Sequence, residues 1–231
     1  MRLDQYLVEN NHVETRSEAK DIITRGFVLI NDKPVLKAGY DIKPSDNVSV
    51  TQRRKYVSRA GEKLEFALKE FQIDLTNQIV VDVGSSTGGF TQCALSFGAQ
   101  KVYAYDVGTN QLDPSLRENE KIFLFEKTNI LDVDIPAHDF MVIDVSFTSV
   151  IPILRHVAKE NKALIVLVKP QFEVSLKELK KGIVKNQKTI QSVIEKIVSE
   201  LKDLNYHIYG YLPSPIKGKE GNQEYLLYVR K

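Results

Sequence analysis

From residue 61 onward the chain alternates between two hydrophobic patterns. Apolar runs of strand length recur at "QIVVDVG" (78–84), "KVYAYDVG" (101–108), "KIFLFE" (121–126), "DFMVIDVS" (139–146) and "ALIVLVKP" (163–170). Helical stretches at 89–98, 149–158 and 187–204 separate most of them, and "EKLEFALKEF" (62–71) precedes them with Leu64, Ala67, Leu68 and Phe71 on one face. Parallel strands need a crossover between them, so this order predicts an α/β fold with a mostly parallel sheet covered on both faces, Rossmann-like in type. "YHIYGYLP" (206–213) and "EYLLYVRK" (224–231) are joined by "SPIKGKEGNQ". A connection of that length suits a hairpin, which makes the last strand antiparallel. Four runs end on a charged residue: Asp82, Asp106, Asp144 and Lys169. Ligands of open α/β sheets bind beyond the carboxyl ends of the strands, so all four are expected to face one cleft.

The first fifty residues read differently. "RLDQYLVENN" sets Leu3, Tyr6, Leu7 and then Val13 on a stripe, and "TRSEAKDIITRG" is a second helix with Thr15 or Ser17 as cap, ending at Gly26. "FVLINDKPV" follows, a strand with a turn at Asn31-Asp32, and then "DNVSV" after Pro44-Ser45-Asp46. Residues 1–52 thus form a small α+β domain, 53–60 a basic linker, and 61–231 the larger domain. Charge is uneven. Residues 1–60 hold 11 Lys/Arg against 8 Asp/Glu, while the remainder holds 21 against 22. Arg16 and Lys20 lie four apart on the second helix, Arg25, Lys33 and Lys37 follow, and "QRRKYVSRAGEK" (52–63) concentrates Arg53, Arg54, Lys55, Arg59 and Lys63 against Glu62. One basic face suits a phosphate backbone.

No apolar run approaches the roughly 18–20 residues that cross a bilayer, and the N-terminus lacks an apolar signal core, so the expected compartment is cytoplasmic. One cysteine, Cys93, and four scattered histidines offer neither a disulfide nor a metal-ligand spacing. Cys93 reads as a packing residue, no metal is expected, and the oligomeric state is left open, a monomer being compatible with the sequence.

The loop "DVGSSTGGFTQCAL" (82–95) follows the first strand of the larger domain and opens a helix. Gly84, Gly88 and Gly89 let backbone approach a ligand, but the spacing is not the dinucleotide GxGxxG. Asp82 would repel a pyrophosphate there and favour a cation, while Asp106 is placed to accept from ribose hydroxyls. Together they describe a nucleoside carrying positive charge and no phosphate: S-adenosylmethionine. Lys169 closes a buried run and is followed by Pro170, which biases it towards an extended backbone at the cleft. Asp144 and Glu224 are its candidate partners, and Lys63 falls on the apolar side of its helix.

Residues 2–50, through "RLDQYL", "TRSEA", "RGFVLIN" and Val35, resemble the RNA-binding fold of the fourth small-subunit ribosomal protein. This implies structured RNA as a partner, with Arg2, Arg16, Lys20, Arg25, Lys33, Arg53, Arg54, Lys55 and Arg59 as candidate contacts. The order Lys63, Asp144, Lys169, Glu224 resembles the tetrad of FtsJ-type RNA ribose 2′-O-methyltransferases. With "YVSRAGEKL", "DVGSSTGGFT", "YAYDVG", "TNI", "VIDVSF", "VKPQFE" and "GNQEYLLYVRK", the whole chain is similar to the TlyA, or haemolysin A-like, family. Ser85-Ser86-Thr87 stand where the FtsJ branch has Ala-Ala-Pro-like residues. The start directly at the first helix is similar to a shorter subgroup associated with large-subunit rRNA.

The resemblance implies S-adenosylmethionine-dependent 2′-O-methylation of a ribose, of cytidine, in ribosomal RNA. Lys169 would meet the hydroxyl as base or as cationic stabiliser, Asp144 would orient it, and Lys63 and Glu224 would position the ribose. Gly84, Ser86, Gly88, Phe90 and Thr91 would border the cofactor, Asp106 its ribose, and Asn129 and Ile130 its adenine, with Asp82, Ser85 and Gly89 completing the set. The competing readings are a non-catalytic RNA-binding assembly factor and a pore-forming haemolysin, the latter disfavoured by the α/β periodicity. "SLKELKKGIVKNQK" (175–188), with five lysines and one acid, is either an extension of the RNA surface or a solvated face.

Overall fold

The computed structural model describes residues 1–52, 55–159 and 162–231, and the chain divides into two compact units, Met1–Lys55 and Tyr56–Lys231. In the first, helices α1 (Leu3–Glu9) and α2 (Arg16–Thr24) precede a three-stranded antiparallel sheet ordered β2–β1–β3, with β1 Val28–Ile30, β2 Lys33–Pro34 and β3 Val48–Val50. Leu3, Leu7, Ala19, Ile22 and Ile23 cluster with Val28 and Ile30 as its core. Thr15, not Ser17, is the cap of α2: its hydroxyl oxygen accepts from the Glu18 N–H at 3.2 Å. Asn31 and Asp32 both take left-handed φ, 50° and 64°, as a mirror-image hairpin turn requires. Buried Asp4 accepts from Arg2 Nε at 2.9 Å and Arg16 Nη2 at 2.7 Å. Those two guanidinium groups hold its carboxyl well below the usual range.

The second unit is built on a seven-stranded sheet ordered β6–β5–β4–β7–β8–β10–β9. Strands β4 (Ile79–Val83), β5 (Lys101–Tyr105), β6 (Ile122–Phe125), β7 (Phe140–Ile143) and β8 (Ala163–Val168) pair in parallel. Strand β10 (Tyr225–Arg230) runs antiparallel to both β8 and β9 (His207–Pro213). Helices α3 (Arg59–Glu70), α4 (Gly89–Ser96), α6 (Ile151–Val157) and α7 (Gln187–Asp203) correspond to the helical stretches read in the sequence. The short α5 (Pro114–Arg117), capped by the Asp113 side chain, has too few residues to carry a period.

Burial on both faces explains the uninterrupted apolar run of β8. Ala163, Ile165 and Leu167 join a core with Leu64 and Leu68 of α3 and Phe90 and Cys93 of α4. Leu164, Val166 and Val168 join another with Leu154 of α6 and Val193, Ile197 and Leu201 of α7. None of the six is more than 6% exposed, so each turns its whole side chain to one core or the other. Cys93 is buried in the first of these cores and forms no disulfide.

The stretch 53–60 is not a uniform linker. Tyr56 is a core residue of the second unit, and its ring covers Gly61, where a Cβ would lie 2.4 Å from the ring. Arg59 and Ala60 already belong to α3. Arg53 and Arg54 lie outside the described residues. Among the described residues no helix is long and apolar enough to cross a membrane.

Candidate active site

The sheet order reverses direction between β4 and β7, and at such a switch point the loops beyond the carboxyl ends part to leave a crevice. Gly84 follows β4 with φ 84°, and a Cβ there would lie 2.5 Å from the Asp144 carbonyl oxygen after β7. Only glycine fits so close an approach of two loops. On this edge lie two cavities, of about 630 and 310 Å³. They share a wall formed by Gly84, Ser86, Asp144, Ser146 and Phe147.

Lys63, Asp144, Lys169 and Glu224 all line the larger cavity. Lys169 follows the last residue of β8, and its Nζ lies 2.6 Å from Asp144 Oδ1 and donates to Ser146 Oγ at 2.7 Å. Because β10 is antiparallel, its first residues sit beside the end of β8, with Tyr225 opposite Val168. That register delivers Glu224 to the same edge. Lys63, on the buried side of α3, donates to Glu224 Oε2 at 2.5 Å. Gly218 packs against this carboxylate, where a Cβ would come 2.5 Å from Oε1. The four groups thus form two ion pairs on one cavity.

The smaller cavity is lined by Asp106, Asn129 and Ile130, together with Tyr105, Val107 and Gln111. Asp106 follows β5, and its two carboxylate oxygens accept from the backbone N–H groups of Ser86 and Gly108, each at 2.7 Å. Asn129 Oδ1 accepts from the Leu131 N–H at 3.1 Å and starts the 3₁₀ turn Ile130–Asp132.

Asp82 departs from the expectation. Asp106, Asp144 and Lys169 each follow the last residue of a strand, whereas Asp82 lies inside β4, one residue before its end. Alternation turns it away from the crevice. It is fully buried and lines neither cavity, and its Oδ2 accepts from Thr91 Oγ1 of α4 at 2.6 Å. Burial pushes its carboxyl up to about 7, with the Asp144 and Asp106 charges adding to the rise. Asp82 and Thr91 therefore fasten α4 beneath the glycine loop and do not face a cation. Gly88 and Gly89 also line neither cavity. A Cβ on Gly88 would meet Leu112 and Leu116 at 2.6 Å, and one on Gly89 would meet Ser58 Oγ of the α3 entry at 2.2 Å, so both serve close packing. Ser85, Ser86 and Phe90 do line the larger cavity.

Several cavity residues had no distinct sequence signal. Ser146 and Phe147 belong to "VIDVSF" but carried no role by themselves. Phe147 is held at φ 63° and is 91% exposed, presenting a flat apolar face at the shared wall. Its ring lies 5.3 Å from that of Phe172. Glu173 joins the loops after β7 and β8: its carboxylate accepts from Ser149 Oγ and from the Val150 N–H, each at 2.7 Å. Asn222 donates to the Gly182 carbonyl at 2.8 Å and accepts from the Val184 N–H at 3.0 Å, binding the lysine-rich 175–188 segment to the loop before Glu224.

The candidate RNA contacts have different surroundings. Arg2 and Arg16 converge on Asp4, while Lys20, Lys33 and Lys55 are exposed. Arg25 pairs with Asp21 at 3.7 Å and stacks its guanidinium 4.6 Å over the Phe27 ring. Arg59 lines the larger cavity instead of belonging to a linker. Among the described residues no group of three His, Cys, Asp or Glu is placed to hold a metal ion.

Comparison with known proteins matches residues 56–231 to the FtsJ-like methyltransferase family and residues 1–48 to the S4 domain. Hemolysin A of Brachyspira hyodysenteriae is 41% identical, over 99% of this chain and 99% of that one. The 23S rRNA (cytidine-2′-O)-methyltransferase TlyA of Campylobacter jejuni is 36% identical over 100% of both. The 16S/23S rRNA (cytidine-2′-O)-methyltransferase TlyA of Mycobacterium tuberculosis is 34% identical over 99% of this chain and 89% of that one. A solved structure, of a protein of Streptococcus thermophilus named a hemolysin, superposes with a TM-score of 0.77 at 35% identity, covering 100% of this chain and 88% of the other.

Proposed function

The chain belongs to the FtsJ-like methyltransferase family, and on that premise we propose that it methylates the ribose 2′-hydroxyl of a cytidine in ribosomal RNA, with S-adenosylmethionine as donor. The observation that carries this reading is the placement of two lysine–carboxylate pairs, Lys169–Asp144 and Lys63–Glu224, on a cavity that shares a wall with the one holding Asp106.

The smaller cavity suits the nucleoside part of the donor. Each Asp106 oxygen takes one backbone N–H and keeps a lone pair for a ribose hydroxyl, and Asn129, Ile130 and Val107 offer a largely apolar border for adenine. On the adjoining wall, buried Ser85 Oγ has no hydrogen-bond partner among the described residues and would serve the polar methionine end. S-adenosylmethionine held there supplies a sulfonium methyl already activated for transfer. The chain's own task is to align the ribose hydroxyl and to stabilise negative charge on its oxygen as the proton passes to solvent and the methyl is taken up. Asp144 and Ser146 hold the Lys169 ammonium beside the shared wall, where it does this as a cation. Lys63 and Glu224 position the ribose from the opposite side. Phe147 offers a face on which a base can stack.

Ribosomal RNA as substrate is supported by the S4 domain match and by the names of both TlyA relatives, which have 23S rRNA in common. The large subunit is therefore the particle we infer. The test is transfer of labelled methyl from S-adenosylmethionine to isolated ribosomal subunits. Lys169→Ala should lower kcat by about 10²–10³, the effect of losing one preorganised charge-stabilising group, while donor affinity stays within about twofold. Undiminished transfer by this variant would remove Lys169 from the chemistry. Binding of subunits by the wild-type chain with no transfer would favour an assembly factor.

A further inference from the structure

Among the residues lining the larger cavity, three carry a side-chain oxygen closed to solvent and without a hydrogen-bond partner among the described residues, Ser85 Oγ, Asp144 Oδ1 and Gln171 Oε1, and of these Asp144 Oδ1 is ion-paired with Lys169 at 2.6 Å. Ser85 lies on the glycine loop and is absorbed by the donor site. Gln171 is not. It sits two residues after Lys169 on the 3₁₀ turn Pro170–Phe172, closed by the Phe172 N–H donating to the Lys169 carbonyl at 2.9 Å. Glu173 then ties the turn to the loop after β7 through Ser149 and Val150. The carboxamide is therefore carried on a well-braced turn beside Lys169, yet its oxygen is left without a donor.

A buried acceptor without a donor is costly, and natural folds keep few of them. The oxygen is closed to solvent where it stands, so the carboxamide turns about its last bond before a donor brought into the cavity can meet it and relieve that cost. A nucleotide whose 2′-hydroxyl meets Lys169 carries its base into the same space. RNA bases taken out of a stack are read along their Watson–Crick edge, and cytosine presents there an exocyclic N4–H donor beside the N3 acceptor. A glutamine side chain offers the matching acceptor and donor.

We infer that Gln171 reads the target base: its Oε1 accepts from the cytosine exocyclic amine and its Nε2 donates to N3. The inference rests on the ribose methyltransferase reading and deepens it by naming the group that engages the base. Gln171 contacts substrate and has no part in donor binding.

The test is a cycle between residue and substrate. Gln171→Met, of similar length and unable to hydrogen-bond in this way, is compared with wild type on an rRNA fragment carrying either cytidine or its 4-deamino analogue, which lacks the amine, at the methylated position. Wild type should lose about 10-fold in kcat/KM on the analogue, because Oε1 is again left unpaired. Gln171→Met should be about 10-fold slower than wild type on cytidine and lose less than twofold more on the analogue, with unchanged donor affinity. If wild type tolerates the analogue, if Gln171→Met matches wild type on cytidine, or if the variant stays as sensitive to the amine as wild type, the inference is overturned. Gln171→Ala, which removes bulk without adding any, provides the same comparison should the Met variant fold poorly. Absence of transfer by wild type on the natural cytidine substrate would instead overturn the methyltransferase reading itself.

Discussion

In the smaller cavity Asp106 is satisfied by backbone N–H groups of Ser86 and Gly108, whereas in the larger one Lys63, Asp144, Lys169 and Glu224 are satisfied by one another. The first arrangement is built into the loop conformation and depends on no second side chain. The second depends on pairs of residues far apart in sequence, and removing one member strands a charge that solvent barely reaches. A cavity of the first kind suits a ligand that every turnover shares. One of the second kind concentrates charge where a reaction develops it.

Removing half of a pair should separate the two most sharply. Lys63→Met leaves Glu224 buried and unpaired, and should cost about 3–5 kcal/mol in denaturant unfolding. Adding Glu224→Gln should restore much of that stability without restoring methyl transfer. A double variant as unstable as the single one would show that packing around Gly218, and not charge, dominates there.

Asp106→Asn is the matching change in the smaller cavity. It should weaken S-adenosylmethionine binding by about 10-fold, measured by calorimetry, with little change in unfolding, because both backbone donors remain near water. A large loss of stability would contradict the contrast. Glu173→Ala loosens the loops that carry Lys169 and Asp144, and should lower kcat by about 5–10-fold at unchanged donor affinity. Glu173→Gln, which keeps an acceptor for the Val150 N–H, should recover most of it.

An effect of another kind, one that depends on pH, is expected beneath the glycine loop. Burial raises the Asp82 carboxyl from 3.8 to about 7, so the folded chain holds this proton more tightly than the unfolded chain does. The stability it contributes is present below about pH 4 and is lost as pH rises through about 7. Asp82→Asn, which still accepts from Thr91, should gain on wild type across that window. Its Tm advantage should be largest at pH 8 and shrink towards pH 5. A pH-independent difference would mean that Asp82 does not titrate there.

The mostly parallel sheet and three of the strand-end residues are legible because a sheet buried on both faces leaves long apolar runs, and β8 is the clearest of them. Lys63, Asp144, Lys169 and Glu224 are candidates in the sequence through their places at strand ends and on the apolar side of a helix, and as a set through the resemblance of their order to the FtsJ-type tetrad. Asp82 was misread because sequence does not reveal whether a strand ends at residue 81 or 83, and that shift decides whether a side chain meets the crevice or the helix behind it. Gly88 and Gly89 were assigned to the ligand when their freedom is spent on Leu112, Leu116 and the entry to α3. The left-handed φ of Phe147 and the unpartnered oxygen of Gln171 arise only from tertiary contacts. No local pattern announces either.

The most direct test of the account is to map the methyl group itself. Large and small ribosomal subunits lacking the modification are incubated with S-adenosylmethionine and either wild type or Lys169→Ala, and the rRNA is digested and read for ribose methylation at each nucleotide. Wild type should leave 2′-O-methylcytidine in 23S rRNA, and the variant should leave none. A methyl on a base or on protein, or equal ribose methylation by both chains, would contradict it.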